Sequence, residues 1–211
     1  MAKGITRERI VTAALDVLDE GGADAVTVRA VAQRLDVKAP ALYWHVRGKQ
    51  ELLDEMGTEI QRRVQRGLAL DASGDWTGAL AHYATVLRQE YLLHRDGART
   101  FSGTRLTDPD VLRMQEPWMQ RWTATGVSIA DLITATELIT AFVVGFVIEE
   151  QERHQSAQAD PERYSLAARD AALGDDAPLV REAGRLRAPD DDAFERQLAI
   201  VLTGVTATFG Q

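Results

Sequence analysis

Apolar residues recur at steps of three and four along nearly the whole chain, a period that leaves little room for anything but helices. The C-terminal stretch shows it well. Phe194, Leu198, Val201, Leu202, Val205 and Phe209 fall at steps of 4, 3, 1, 3 and 4, one face of a helix from about Asp192 to Phe209. No sustained alternating run of β-branched and aromatic residues is flanked by hairpin turns, so the spacing predicts an all-α fold.

Helix stops divide the chain. Thr6 can cap a helix over about Arg7–Glu20, ended by Gly21-Gly22, and Thr27 caps a short second helix to about Leu35. Pro40 suits the first turn of a third helix ending near Trp44, and a long fourth helix runs from Lys49 to about Leu70. The break at Asp71-Ala72-Ser73-Gly74 sets the expected organisation: residues 1–48 as a three-helix head, 49–74 as a linking helix, 75–211 as a larger helical body. In the body, helices are expected from Trp76 to about His94, over Asp96 to Ser102, and from Asp108-Pro109 to near Thr125-Gly126. A capping box at Ser128 and Asp131 opens another to about Gln155, and at most two short helices follow in a partly mobile 156–192 excursion.

The chain of 211 residues is 45% hydrophobic and can bury a substantial core. It has no cysteine, which excludes disulfides and thiolate sites. The N-terminus shows no apolar stretch with a cleavage site, and the apolar run Leu138–Ile148 is well short of the roughly 20 residues that cross a bilayer. A cytoplasmic protein without membrane contact is expected, with that run as a buried helix. The net charge of −8 is uneven: residues 1–67 hold eleven Lys+Arg against ten Asp+Glu, and residues 68–211 hold thirteen against twenty-two. A near-neutral head can meet phosphates while the acidic body repels non-specific DNA.

The segment from Thr27 to Val46 reads as helix, tight turn, helix, with Val31, Ala32, Leu35, Val37 and Leu42 inside. Lys38 and Ala39 stand at the N-terminus of the third helix, which favours a phosphate or base edge, and Arg29 and Lys49 bracket the same groove. Ala39, Pro40 and Ala41 are small enough to enter a major groove and suit thymine methyls. Tyr43, Trp44 and His45 carry polar tips beside them; for Tyr43 and Trp44 core packing is the competing reading.

Thr27 to Leu53, with Leu42-Tyr43-Trp44-His45-Val46, Gly48-Lys49 and Glu51-Leu52-Leu53, resembles the DNA-binding head of TetR-family regulators. Trp76, Arg95-Asp96-Gly97-Ala98, Gly103-Thr104-Arg105 and Gly145 with Glu149-Glu150-Gln151-Glu152 resemble the tetracycline-repressor class of C-terminal domain. The resemblance implies DNA contacts from Thr27, Arg29, Ala39, Pro40, Ala41, Tyr43, Trp44, His45 and Lys49. It also implies a homodimer joined through the helices at about Ser128–Gln155 and Asp192–Phe209. The implied partners are a double-stranded operator and a small-molecule effector. The two histidines with which tetracycline repressors hold a magnesium–drug complex fall here on Phe101 and Ala141, while the carboxylate survives as Glu149. Gln65, Tyr83 and Trp118 also depart from that class. Tetracycline is therefore not the expected ligand.

An apolar, aromatic pocket is expected instead from Tyr83, Leu87, Phe101, Trp118, Trp122 and the Ala141 position, with Thr104 and Arg105 as polar anchors. Simple core packing of these aromatics is the competing reading. An aromatic or polyketide-like effector would suit the pocket.

No catalytic residues, metal site or cofactor are expected. The chain has four isolated histidines, no Gly-x-Ser-x-Gly elbow and no Walker or dinucleotide loop. His94-Arg95-Asp96 copies a kinase tripeptide without the rest of that machinery, and Glu150 with His154 lacks a second pair of metal ligands. The function expected is a ligand-responsive repressor on a palindromic operator. A ligand-dependent activator, or a helical sequestering protein without DNA binding, are the alternatives.

Overall fold

The computed structural model describes residues 4–69, 75–187 and 190–209, and every regular element among them is a helix. Helix α1 (Arg7–Gly21) starts where the Thr6 hydroxyl accepts from Arg9 N–H at 3.3 Å. It stops at Gly22, whose φ of 75° a residue with a Cβ adopts only at a cost. The stripe of Ile10, Val11, Ala14, Leu15 and Leu18 is buried, joined by Ala13 and Val17.

The Thr27 hydroxyl accepts from Ala30 N–H at 3.0 Å and begins α2 (Val28–Arg34). A Schellman turn ends it: Val37 N–H donates to Ala32 C=O and Asp36 N–H to Gln33 C=O, with Asp36 in the left-handed region at φ 54°. The turn delivers the chain into α3 (Ala39–Leu42), with Pro40 in its first turn. This helix is shorter than expected. Tyr43 and Trp44 fall in the turn after it, closed by His45 and Val46 N–H groups donating to Leu42 C=O at 2.8 and 2.9 Å. Val31, Ala32, Leu42 and Val46 are buried inside the head.

In α4 (Lys49–Ala69), Leu52, Met56, Ile60 and Val64 form a buried stripe at four-residue steps. The helix packs on α1 at its head end and on α5 (Trp76–Leu92) and α6 (Gly97–Phe101) beyond it. The boundary expected at Asp71–Gly74 lies outside the described residues.

The single helix expected after Asp108 is two: α7 (Pro109–Arg113) and α8 (Glu116–Thr123). Pro117 is the reason. Within a continuous helix its ring would collide with the Arg113 carbonyl and its missing N–H would leave that carbonyl unpaired, so the chain breaks at Met114-Gln115.

The Ser128 hydroxyl accepts from Asp131 N–H at 3.1 Å and donates to the Asp131 carboxylate at 2.6 Å, opening α9 (Ile129–Ala159). This helix runs past Gln155 to Ala159. Two short helices, α10 (Leu166–Leu173) and α11 (Pro178–Arg185), bury no residue, and α12 (Asp191–Phe209) returns along α5 and α9. Arg88 of α5 clamps the three: its guanidinium makes a two-pronged pair with Glu150 at 2.7 and 3.1 Å, reaches Asp191 at 2.8 Å and lies over the rings of Phe194 and Phe146.

Within a single chain the helix expected to be buried around Leu138–Ile148 is covered on one face. By length and composition α9 could cross a membrane, yet only 33% of its most apolar stretch is buried. Leu132, Ala135, Ile139, Val143 and Val147 face the body, whereas Leu138, Ala141 and Gly145 are exposed on the other side. The helix is apolar nearly all round, and the rest of the chain covers one face.

Candidate functional site

The outer surface of the head gathers the residues singled out in the sequence. Trp44 is 90% exposed and Tyr43 is 52% exposed, so core packing is not their role. Arg29, Lys38 and Pro40 are exposed beside them, and Ala39, Ala41 and His45 are half-buried. Thr27 is exposed while capping α2, and Lys49 Nζ donates to the Ala23 carbonyl at 3.2 Å, which ties the start of α4 to the α1–α2 turn.

Behind this surface the head is bolted to the body by polar contacts that the sequence did not disclose. The side chain of His94, buried after α5, meets the Asp19 carboxylate of α1 through Nδ1 at 3.0 Å and Arg63 of α4 through Nε2 at 3.3 Å. Asp96, left-handed at φ 55°, accepts from Ala23 N–H and from the Gln155 amide, and Gln151 donates to the carbonyls of Tyr91 and His94. The tripeptide set aside as a kinase look-alike is thus a junction. Its Asp-Gly step was the available signal, since a left-handed Asp is a turn former.

A cavity of about 310 Å³ lies between α4, α5, α6, α8 and α9. The linking helix supplies Gly57, Ile60, Gln61, Gln65 and Leu68; α5 supplies Tyr83 and Tyr91, and α6 supplies Phe101. Gly103, Thr104, Leu106, Gln115, Trp118 and Met119 come from the following segment, and Leu132, Ile133 and Thr136 from α9.

The 103–108 segment is stitched to α4. Thr107 N–H donates to the Thr58 hydroxyl at 2.9 Å, Arg105 N–H to Asp54 at 3.1 Å, and Arg62 to Asp108 at 2.8 Å. One wall of the cavity is therefore hydrogen-bonded along the helix that begins at the head. Burial raises the Tyr83 phenol above its ordinary range, against a smaller opposing effect of its hydrogen bond with Thr140, and burial raises Tyr91 as well.

Residues 10–56 match the family described as bacterial regulatory proteins, tetR family, and residues 68–209 match the tetracyclin repressor-like, C-terminal domain. The chain belongs to the TetR family. As a member it is a DNA-binding, ligand-responsive transcriptional regulator with a helix-turn-helix head. It is 36% identical over 203 residues to the class D tetracycline repressor protein of Escherichia coli, covering 95% of this chain and 88% of that protein. A possible TetR family transcriptional regulator from Streptomyces coelicolor A3(2) superposes with a TM-score of 0.77 at 34% identity, over 96% of this chain and 100% of that one. TetR(class A) in complex with 5a,6-anhydrotetracycline and magnesium gives 0.68 at 31% identity, over 94% and 96%.

Within this TetR-family fold the positions expected to form the pocket separate into two groups. Tyr83, Phe101, Thr104 and Trp118 line the cavity. Leu87, Trp122, Arg105 and Ala141 do not. Leu87 is buried in the core between the two α5 tyrosines, and Trp122 is buried edge-on against Trp76. Arg105 is exposed and engages α4 through its backbone.

Ala141 lies five residues past the cavity residue Thr136, about 140° round the helix, and so faces outward. Gln61 and Gln115 line the cavity without having been anticipated; the four-residue spacing of Gln61 and Gln65 on one face of α4 was the signal.

The residues do not fit a magnesium ion. Phe101 offers no donor and Ala141 is outside the cavity. Glu149, also outside it, pairs with Arg153 at 3.1 Å on an exposed helix face. Among the described residues no three His, Asp or Glu side chains gather as a metal site.

Proposed function

We propose that this protein is a homodimeric, non-enzymatic repressor that acts in the cytoplasm, binds a palindromic operator and is released by a small aromatic effector. The exposed Trp44, held at the head of a chain whose next helix reaches the cavity, carries this reading. A bulky aromatic ring is left in water at 90% exposure when a partner covers it, and DNA is the partner that suits the cations and small groups around it. On this reading Thr27, Arg29, Lys38 and Lys49 meet backbone or flanking bases, and Ala39, Pro40 and Ala41 enter the major groove. Tyr43, Trp44 and His45 seat the turn after α3 against the duplex.

The second protomer covers the outward face of α9 and the adjoining face of α12. A Cβ at Gly145 or Gly204 would meet nothing within 4 Å, and Leu138 and Ile200 stand exposed. Effector in the cavity displaces the 103–108 segment, α4 follows through its hydrogen bonds, and the two heads leave the spacing of about 34–36 Å that successive major grooves require. A differential affinity of a few kcal/mol suffices for release.

The test is a pull-down of fragmented genomic DNA by the full chain, with bound fragments sequenced across a salt series. Enrichment of one palindrome that survives moderate salt supports the reading. Binding that is uniform in sequence and vanishes with salt would refute it.

A further inference from the structure

We propose, building on the ligand-released reading above, that the cavity takes an uncharged, metal-free aromatic molecule that carries both carbonyl and hydroxyl oxygens. No Asp, Glu, Lys, Arg or His lines it. A carboxylate, an ammonium group or a dication placed there would lose its hydration with no opposite charge to replace it. The two tyrosines cannot supply that charge, because burial raises both phenols and keeps them neutral at physiological pH.

The hydrogen-bonding pattern narrows the chemistry further. The two threonine hydroxyls that line the cavity have spent their protons inside the protein: Thr104 donates to Phe101 C=O at 2.8 Å and Thr136 to Leu132 C=O at 2.6 Å. Thr140 donates to Thr136 C=O, which leaves its oxygen to accept from Tyr83 at 2.8 Å. The oxygens of Thr104 and Thr136 remain acceptors only, and a ligand hydroxyl satisfies them.

The side-chain amides of Gln61, Gln65 and Gln115 make no hydrogen bond to other described residues, although Gln65 is only 9% exposed. These amides open on the cavity and are available to a ligand. Their N–H groups match carbonyl oxygens on a ligand, and the rings of Phe101 and Trp118 offer apolar walls to a flat framework.

The experiment is titration calorimetry of the full chain with dihydroxyanthraquinone and with its monocarboxylate, each in EDTA and in magnesium. The neutral quinone should bind equally well in both buffers, and the carboxylate about tenfold or more weaker. Gln65→Leu should cost about tenfold for the neutral quinone while leaving the melting temperature unchanged or higher. Binding that requires magnesium, a carboxylate that binds as tightly as the neutral compound, a neutral quinone that fails to bind, or a Gln65→Leu protein of unchanged affinity would each overturn the proposal.

Operator binding is measured on the same preparations. A protein that grips DNA but ignores the quinone overturns the ligand class alone. One that binds the quinone but no operator overturns the regulatory reading and leaves the ligand class standing.

Discussion

Asp96 holds the backbone N–H of Ala23 with one carboxylate oxygen at 2.9 Å and the side-chain amide of Gln155 with the other at 2.8 Å. Ala23 belongs to the head and Gln155 to α9, so one side chain at the start of α6 joins the two halves of the protein. Burial opposes its charge, but the bonds from Gln155 and Ala23, with Arg95 and Arg99 nearby, outweigh it and hold the carboxyl below its ordinary range. A depressed pKa contributes stability above the unfolded value, about 3.9, and loses it as pH falls through the folded one. Asp96→Asn keeps a residue that tolerates the left-handed turn but turns an N–H toward a donor. It should cost about 1 kcal/mol at neutral pH, since the group is partly open to solvent. Urea unfolding of both proteins checks this: the difference should shrink at about pH 3.5, and a constant gap would refute the assignment.

Gly57 faces Thr104 at a distance that admits no side chain. A Cβ there would sit 2.0 Å from the Thr104 hydroxyl and 2.8 Å from its Cβ. Gly57→Ala should therefore push the 103–108 segment off α4, lower stability by about 1–3 kcal/mol and weaken operator binding. Adding Thr104→Ala removes the hydroxyl but leaves the Cβ 2.8 Å away, so it should recover only part of the loss. A double-mutant cycle by thermal unfolding measures the coupling, expected at about 1 kcal/mol or more; strictly additive effects would show that the two do not bear on each other.

Trp44 should separate folding from DNA binding. With so little of its surface buried, Trp44→Ala should change stability by no more than about 0.5 kcal/mol. Specific operator affinity should fall by about tenfold or more, as for loss of an interface aromatic. Fluorescence anisotropy with a labelled operator, paired with a melting curve, reads both quantities. A collapsed melting temperature would mean that the ring is structural after all.

What could be read from the sequence follows the range over which each feature is decided. Caps at Thr6, Thr27 and Ser128 depend on three or four consecutive residues, and the structure has them where the spacing put them. Pro117 is as local a signal, and it is what separates α7 from α8. Facing is decided by rotation and by partners far along the chain. Phe101 and Ala141 were placed in one pocket by resemblance, but the turn of α9 that sends Thr140 toward Tyr83 sends Ala141 outward. The junction of Asp19, His94 and Asp96 spans more than 70 residues of chain and has no local pattern.

Arg88 of α5 and Glu150 of α9 form an ion pair between helices, with side chains 11% and 19% exposed. Arg88→Ala would leave Glu150 nearly buried without a counter-charge, at an expected cost of about 3 kcal/mol. Arg88→Lys should recover less than half. A single ammonium cannot span both Glu150 oxygens, reach Asp191 and cover the Phe194 ring, whose centre the guanidinium approaches to 4.7 Å. Chemical denaturation ranks the three proteins, and full rescue by lysine would show that only the charge matters.

The outward faces of α9 and α12 give the test of assembly. Leu138 is 49% and Ile200 72% exposed in the protomer, and neither belongs to the cavity or to the head. If a second copy covers them, Leu138→Arg and Ile200→Glu each bury a charge in an apolar interface, and the double substitution should yield monomers in sedimentation velocity. Far-ultraviolet circular dichroism should stay helical, because the protomer's own core of Leu132, Ile139 and Val143 is untouched. Operator affinity should drop steeply, since one head alone reads a half-site and loses the gain of linked binding. A double variant that remains dimeric would place the contact elsewhere, and the apolar residues left exposed on α10 and α11, Leu166 and Leu179 among them, would then be the surface to substitute next.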